Sequence, residues 1–256
     1  MKIEKIEVTT FNTPSKKMND TDGHTHPGPE HDTQQAMLTI TSDDGHAGYS
    51  FGSPEGLRPY VIDNFVKKVF MGQDPLDREK LWTDLGKWQR GSDANLTDRT
   101  LAVAETALWD LAGRASNTPV WKMLGGYRDK VAAYGSTMCG DEMIDGLATP
   151  EDYGKFAEWM VERGYKAIKL HTWMPPVSWA PSVKMDIKAC AAVREAVGPE
   201  FPLMLDANHW YCLQEAIWSE VPAVAVVSWR LLNQLSAEVW AQDLLCQAYL
   251  EDEVLA

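Results

Sequence analysis

Tyr165-Lys166-Ala167-Ile168-Lys169-Leu170-His171 is the stretch whose reading decides the fold. A short apolar run follows the helical pattern that ends at Glu162-Arg163-Gly164, the way a helix passes through a glycine into a buried parallel strand. On a strand, residues two apart share a face. Lys169 and His171 therefore project together at the strand's carboxyl end, just before a loop of Trp and Pro. A second run, Phe201-Pro202-Leu203-Met204-Leu205-Asp206-Ala207-Asn208, ends in an Asp and an Asn that also share a face. Two bases on one strand and a carboxylate on a nearby one are the makings of a catalytic face.

Around this pair, strand and helix patterns alternate. Residues 131–137 read as a strand and 149–163 as a helix with Pro150 at its first position. Residues 166–171 are the next strand, 182–197 the next helix, and 201–208 the third strand. Three strand–helix units in a row call for a parallel sheet or barrel.

Ahead of them the pattern is different. Residues 3–11 alternate as a half-buried strand, and 35–40 and 47–51 form a hairpin about the turn Asp43-Asp44-Gly45-His46. Residues 12–32, rich in Pro, Gly, Asp, Thr and His, read as a long polar loop between the first two strands. Residues 57–71, 77–88 and 98–115 carry helical spacing. The third of these is apolar nearly all round and so expected to be buried, with Asn95 or Thr97 as its N-cap.

Composition narrows the function. The chain has 256 residues, 45% hydrophobic and 24% charged, with a formal net charge of -13. That balance argues against a nucleic-acid binder, which needs a basic face. No run reaches membrane-spanning length. Four cysteines without a CxxC pair read as free thiols of a reducing, cytoplasmic compartment. His24-Thr25-His26 lacks an evident third ligand, so zinc is set aside.

Taken in order, several segments resemble the enolase superfamily, and within it the mandelate racemase group. They are Glu105-Thr106-Ala107-Leu108-Trp109-Asp110-Leu111-Ala112-Gly113-Arg114, Pro119-Val120-Trp121-Lys122-Met123-Leu124-Gly125-Gly126, Tyr134-Gly135-Ser136, the Lys-x-His strand and the Asp-Ala-Asn strand. The resemblance covers roughly residues 1–211. It implies an α/β protein with an N-terminal α+β capping domain (1–130), the first part of a (β/α) TIM-type barrel (131–211), and a tail without a family match (212–256).

The resemblance also implies chemistry. Such enzymes remove the proton next to a carboxylate, with Mg²⁺ stabilising the charge that develops. Lys169 matches the acid/base lysine and Asp206 a metal ligand, while His171 stands where it can tune Lys169 or bind substrate. Asn208, Ser136, His24 and His26 are the substrate-binding candidates, the histidines lying with His31 in the cap loop. The expected partner is a small carboxylic, sugar-type acid, in a homo-oligomer with no nucleic acid or membrane. The expected reaction is dehydration or racemisation.

The pattern breaks beyond the third strand. A full eightfold barrel takes about 250 residues, and the chain after residue 130 offers about half of that. The family's fourth strand ends in acidic ligands, whereas the corresponding region here is Val224-Ala225-Val226-Val227-Ser228-Trp229-Arg230. A changed reading frame between Tyr211 and Trp229 would account for the tail. The alternative expectation is a catalytically incompetent, self-associating fragment with weak Mg²⁺ affinity.

Overall fold

The computed structural model describes residues 1–19, 25–143 and 146–207, and the backbone of the strand 224–227. The chain divides into two compact units. One comprises Met1–Ser15 with Glu30–Lys130; the other comprises Lys16–Pro29 with the described residues from Val131 onward.

A sheet of order β1-β2-β3, with β1 at Ile3–Asn19, β2 at Thr25–Ser42 and β3 at Ala47–Gly52, contributes its residues 3–15 and 30–52 to the first unit. The 12–32 loop expected from composition is thus largely strand. Neighbouring strands joined by so few residues can only run antiparallel, since a parallel return needs a crossover of a dozen or more. β2 and β3 pair antiparallel with Leu38 opposite Ser50 and Ile40 opposite Gly48. The buried positions of β2 alternate (Ala36, Leu38, Ile40), so one face packs on a core and the other meets solvent.

Helices cover that face. Pro59–Val61 (α1), a π-helical turn at Ile62–Val66 and Lys67–Phe70 (α2) run on from one another, followed by α3 (Arg78–Gly86), α4 (Asp98–Ala115) and the short α5 (Val120–Met123). Thr97 is the N-cap of α4, its hydroxyl accepting from the Thr100 amide. α4 is buried along one stripe, Leu101, Ala104, Ala107, Leu108, Leu111 and Ala112, and not all round as its composition suggested. The expectation failed because alanine counts as apolar yet costs little when exposed, as at Ala102. α4 lies so close to β3 that a Cβ on Gly48 would collide with the Ala107 carbonyl. Asp110 of α4 ties the two together, accepting from the Tyr49 amide at 2.9 Å and from Arg114 Nε at 2.8 Å.

On α3, Asp84 accepts from Lys80 at 2.8 Å and from Lys87 at 2.7 Å. Those two bonds, Lys80 first, lower its carboxyl from 3.8 to about 2. A carboxyl depressed on folding stabilises the native state above its unfolded pKa, and that contribution is lost as pH falls through the folded one. Asp84→Asn is therefore expected to flatten the fall in melting temperature between about pH 4 and 2, read by thermal denaturation across that interval.

The second unit holds a parallel sheet of order β4-β5-β6-β7: Gly135–Ser136, Ile168–His171, Leu203–Asp206 and Val224–Val227. The helices α6 (Pro150–Glu162) and α7 (Val183–Val197) make the crossovers between β4 and β5 and between β5 and β6. The expected strand at 131–137 shrinks to Gly135–Ser136, because 131–134 stay exposed, Val131 at 80%. Ile168, Leu170, Leu203 and Leu205 point into a core with Tyr153, Ala157 and Met160 of α6 and Ala189, Cys190 and Val193 of α7. Each such aliphatic side chain contributes about 1.5–3 kcal/mol by leaving water. α6 and α7 approach closely at Gly154, where a Cβ would stand 3.2 Å from the Ala192 carbonyl.

Local signals fix the helix ends. Thr149 and Asp152 form a reciprocal capping box at the start of α6, with Pro150 just inside. Removing the hydroxyl by Thr149→Ala is expected to cost about 1 kcal/mol, measurable by urea unfolding. Gly164, at φ +91°, turns the chain from α6 toward β5, a conformation a side chain would strain. Arg194 holds the α7–β6 turn, donating to the carbonyls of Gly198, Pro199 and Phe201.

Candidate functional site

Alternation on β5 buries Ile168 and Leu170 in the core and turns Lys169 and His171 to the other face. On β6, Leu203 and Leu205 enter the core and Asp206 turns with Met204 to that same other face. The parallel register sets His171 level with Asp206 and Lys169 level with Met204. Lys169 reaches up the sheet so that its Nζ lies 2.9 Å from Asp206 Oδ2, and His171 Nε2 lies 3.6 Å from the same oxygen. The three side chains are 18%, 20% and 11% exposed for Lys169, His171 and Asp206. Three ionisable groups thus meet, mostly shielded, at the carboxyl ends of two adjoining strands.

Such a pair adds little to stability, since desolvation offsets most of its Coulombic gain. Its position at strand ends, outside the apolar core, is where α/β folds bind ligands. Ser136 stands on β4 level with Lys169, exposed, with its hydroxyl donating to the Thr137 carbonyl at 3.3 Å. His26 is on β2 and buried at 7%, on a strand and not in a loop. His24 and Asn208 lie outside the described residues.

Three further residues bear on the site that the sequence did not single out. The Tyr134 ring centroid is 5.7 Å from Lys169 Nζ, within reach of a cation–π contact. Its spacing of two from Ser136 was the available signal. Thr137 and Tyr153 hydrogen-bond the backbone of His171. No periodicity in the sequence announces those bonds.

As a metal centre the described residues are incomplete. Among them, no group of three His, Cys, Asp or Glu gathers to hold an ion. Asp206 alone offers an anionic oxygen, and its register neighbour on β7 is Val227, an apolar residue type. A hard cation such as Mg²⁺ wants several oxygens, so these residues fit it as one ligand of a larger set.

Two family models match the chain: the mandelate racemase/muconate lactonizing enzyme N-terminal domain over residues 6–125, and the enolase C-terminal domain-like family over residues 152–220. The chain belongs to the mandelate racemase/muconate lactonizing enzyme family. The second match runs to residue 220, past the 211 at which the family pattern was expected to stop. Among solved structures, the chain is similar to a D-glucarate dehydratase from Agrobacterium tumefaciens complexed with magnesium. It is 64% identical with a TM-score of 0.79, over 86% of this chain and 57% of that one. Arabinonate dehydratase of Saccharolobus solfataricus is 29% identical over 73% of this chain and 49% of its own length. D-galactarolactone cycloisomerase of Agrobacterium fabrum is 32% identical over 71% of this chain and 46% of its own length. The chain spans about half the length of these curated relatives. The solved neighbours have a capping domain followed by a TIM-like barrel, and this chain covers part of that architecture. No helix among the described residues is long and apolar enough to cross a membrane.

Proposed function

We propose that the chain carries the acid/base part of a Mg²⁺-dependent dehydratase for a sugar diacid of the D-glucarate type. The observation that carries this is the 2.9 Å approach of Lys169 to Asp206 across neighbouring strand ends. The 64% identity to a magnesium-complexed D-glucarate dehydratase supports the substrate class. In the reaction, Lys169 takes the proton next to the substrate carboxylate. The electron pair left on that carbon forms a double bond to the next carbon and breaks that carbon's bond to its hydroxyl. The hydroxyl leaves as water with the proton Lys169 had taken, and the resulting enol tautomerises to an α-keto acid.

A hydrogen next to a carboxylate is far too weak an acid for an unaided amine, so charge stabilisation is the larger requirement. Asp206, with further oxygen ligands, would hold Mg²⁺, and the bound ion would supply that stabilisation. His171, level with Asp206, orients that carboxylate and donates to a substrate oxygen. Ser136 offers a hydroxyl from the neighbouring strand; Asn208, His24 and His26 complete the substrate contacts in this proposal. The acid is taken up by a homo-oligomer in the cytoplasm.

The test is release of α-keto acid from D-glucarate by the full chain, with and without Mg²⁺. Metal-dependent turnover is expected; no turnover at saturating metal would overturn the proposal. Val227 beside Asp206 favours a second reading, a family fragment that holds Mg²⁺ weakly and does not turn over. Calorimetric titration separates the two, micromolar binding supporting the enzyme and millimolar binding the fragment.

A further inference from the structure

We propose that Thr137 and Tyr153 are positioning residues for His171, their hydroxyls carrying the β4–β5 ladder one rung beyond the point where the β4 backbone leaves it. The ordinary ladder is seen up to that point: the Gly135 amide donates to the Ala167 carbonyl at 2.9 Å and the Thr137 amide to the Lys169 carbonyl at 3.0 Å. At the next rung the His171 amide would meet a backbone carbonyl of β4. It donates instead to Thr137 Oγ1 at 2.7 Å, and that hydroxyl donates in turn to the His171 carbonyl at 3.1 Å. A hydroxyl has one proton and two lone pairs, so both bonds are satisfied together. Tyr153, reaching in from α6, donates its OH to the same carbonyl at 2.8 Å.

Both hydroxyls are out of solvent, Thr137 at 4% exposure and Tyr153 at 0%. The Tyr153 ring packs edge-on to Trp173 at 5.0 Å. Its OH and Trp173 Nε1 each lie 2.7 Å from where a Cβ on Gly140 would stand, so only glycine leaves room for this arrangement. Burial, and after it the Asp186 charge, pushes the Tyr153 phenol well above its usual range, which keeps it a donor.

The consequence lies at the far end of the side chain. His171 is the last residue of β5 and presents Nε2 3.6 Å from Asp206 Oδ2. On the β4 side the next backbone bond runs from the Gly140 amide to the Thr172 carbonyl at 3.1 Å, so these hydroxyls are what holds the His171 peptide itself. Loosening it shifts the ring, and a displacement of about 1 Å in a catalytic group costs on the order of 100-fold in rate. This role rests on the functional reading above for its kinetic consequence, but the geometry it claims is observable without turnover.

The test uses Thr137→Val, Thr137→Ser and Tyr153→Phe in the full chain. By NMR, the His171 ring signals are expected to move in Thr137→Val and Tyr153→Phe and to stay near wild-type in Thr137→Ser, with His46 in the other unit unmoved throughout. In the dehydration assay, kcat is expected to fall about 10- to 100-fold in the two hydroxyl-free variants, with KM changed less than about threefold and Thr137→Ser restoring the rate. If Tyr153→Phe fails to fold, the valine–serine comparison at 137 decides. Unmoved His171 signals in the hydroxyl-free variants overturn the proposal. Moved signals in a chain that never turns over support the positioning role and overturn only the functional reading.

Discussion

Lys169→Met is expected to lower D-glucarate turnover by about 10²- to 10⁴-fold, the usual contribution of a positioned general base. Methionine keeps the unbranched stem that lies along the strand face and removes only the amine. The fall is expected in kcat, because the proton is taken in the transition state and substrate binding draws mainly on other groups. Steady-state kinetics on folded variant, confirmed by circular dichroism, make the measurement. A lysine serving only to neutralise Asp206 would show the opposite pattern, with KM raised and kcat nearly kept.

Asp206→Leu carries the second large effect, this time on stability. Lys169 and Asp206 are 18% and 11% exposed and lie 2.9 Å apart. Removing one partner of a shielded pair leaves the other charge uncompensated, at a cost of about 3–5 kcal/mol for full burial; partial exposure places the expected loss near the lower figure. Adding Lys169→Met to Asp206→Leu removes both charges and should recover most of that loss, since apolar replacements of a buried pair are often neutral or better. Urea unfolding of the two singles and the double closes the cycle. Additive losses would show that the two groups do not interact in solution.

How far the sequence announced this arrangement depends on whether a residue acts through pattern or through contact. Lys169, His171 and Asp206 were legible because a period of two, flanked by buried Ile168, Leu170, Leu203 and Leu205, leaves them one face to occupy. The start of α6 at Thr149-Pro150 and the glycine exit at Gly164 were legible from local signals, whereas the reciprocal Thr149–Asp152 bonds emerged only in the structure. Residues 12–32 were not. In β1 beyond Phe11 and in β2 from Pro29 to Gln34 no side chain is buried, so the strands carry no hydrophobic alternation to read. Composition there speaks of turns while the backbone pairs regardless.

The converse error occurred at 131–134, where Val131 and Tyr134 look like strand residues yet remain 80% and 48% exposed. Thr137 and Tyr153 were silent for a further reason. Their part is played by hydroxyls on His171's backbone, 34 and 18 residues away in sequence. Such bonds are fixed by tertiary packing and leave no trace in spacing.

Exchange of the substrate's α-hydrogen tests most directly whether Lys169 and Asp206 make one acid/base site. D-Glucarate, Mg²⁺ and the full chain are incubated in D₂O, and the α-proton signals are followed by NMR. Loss of signal with the wild-type chain and its retention with Lys169→Met is the predicted result. Equal exchange by both chains, or none by the wild type at saturating metal, would contradict it.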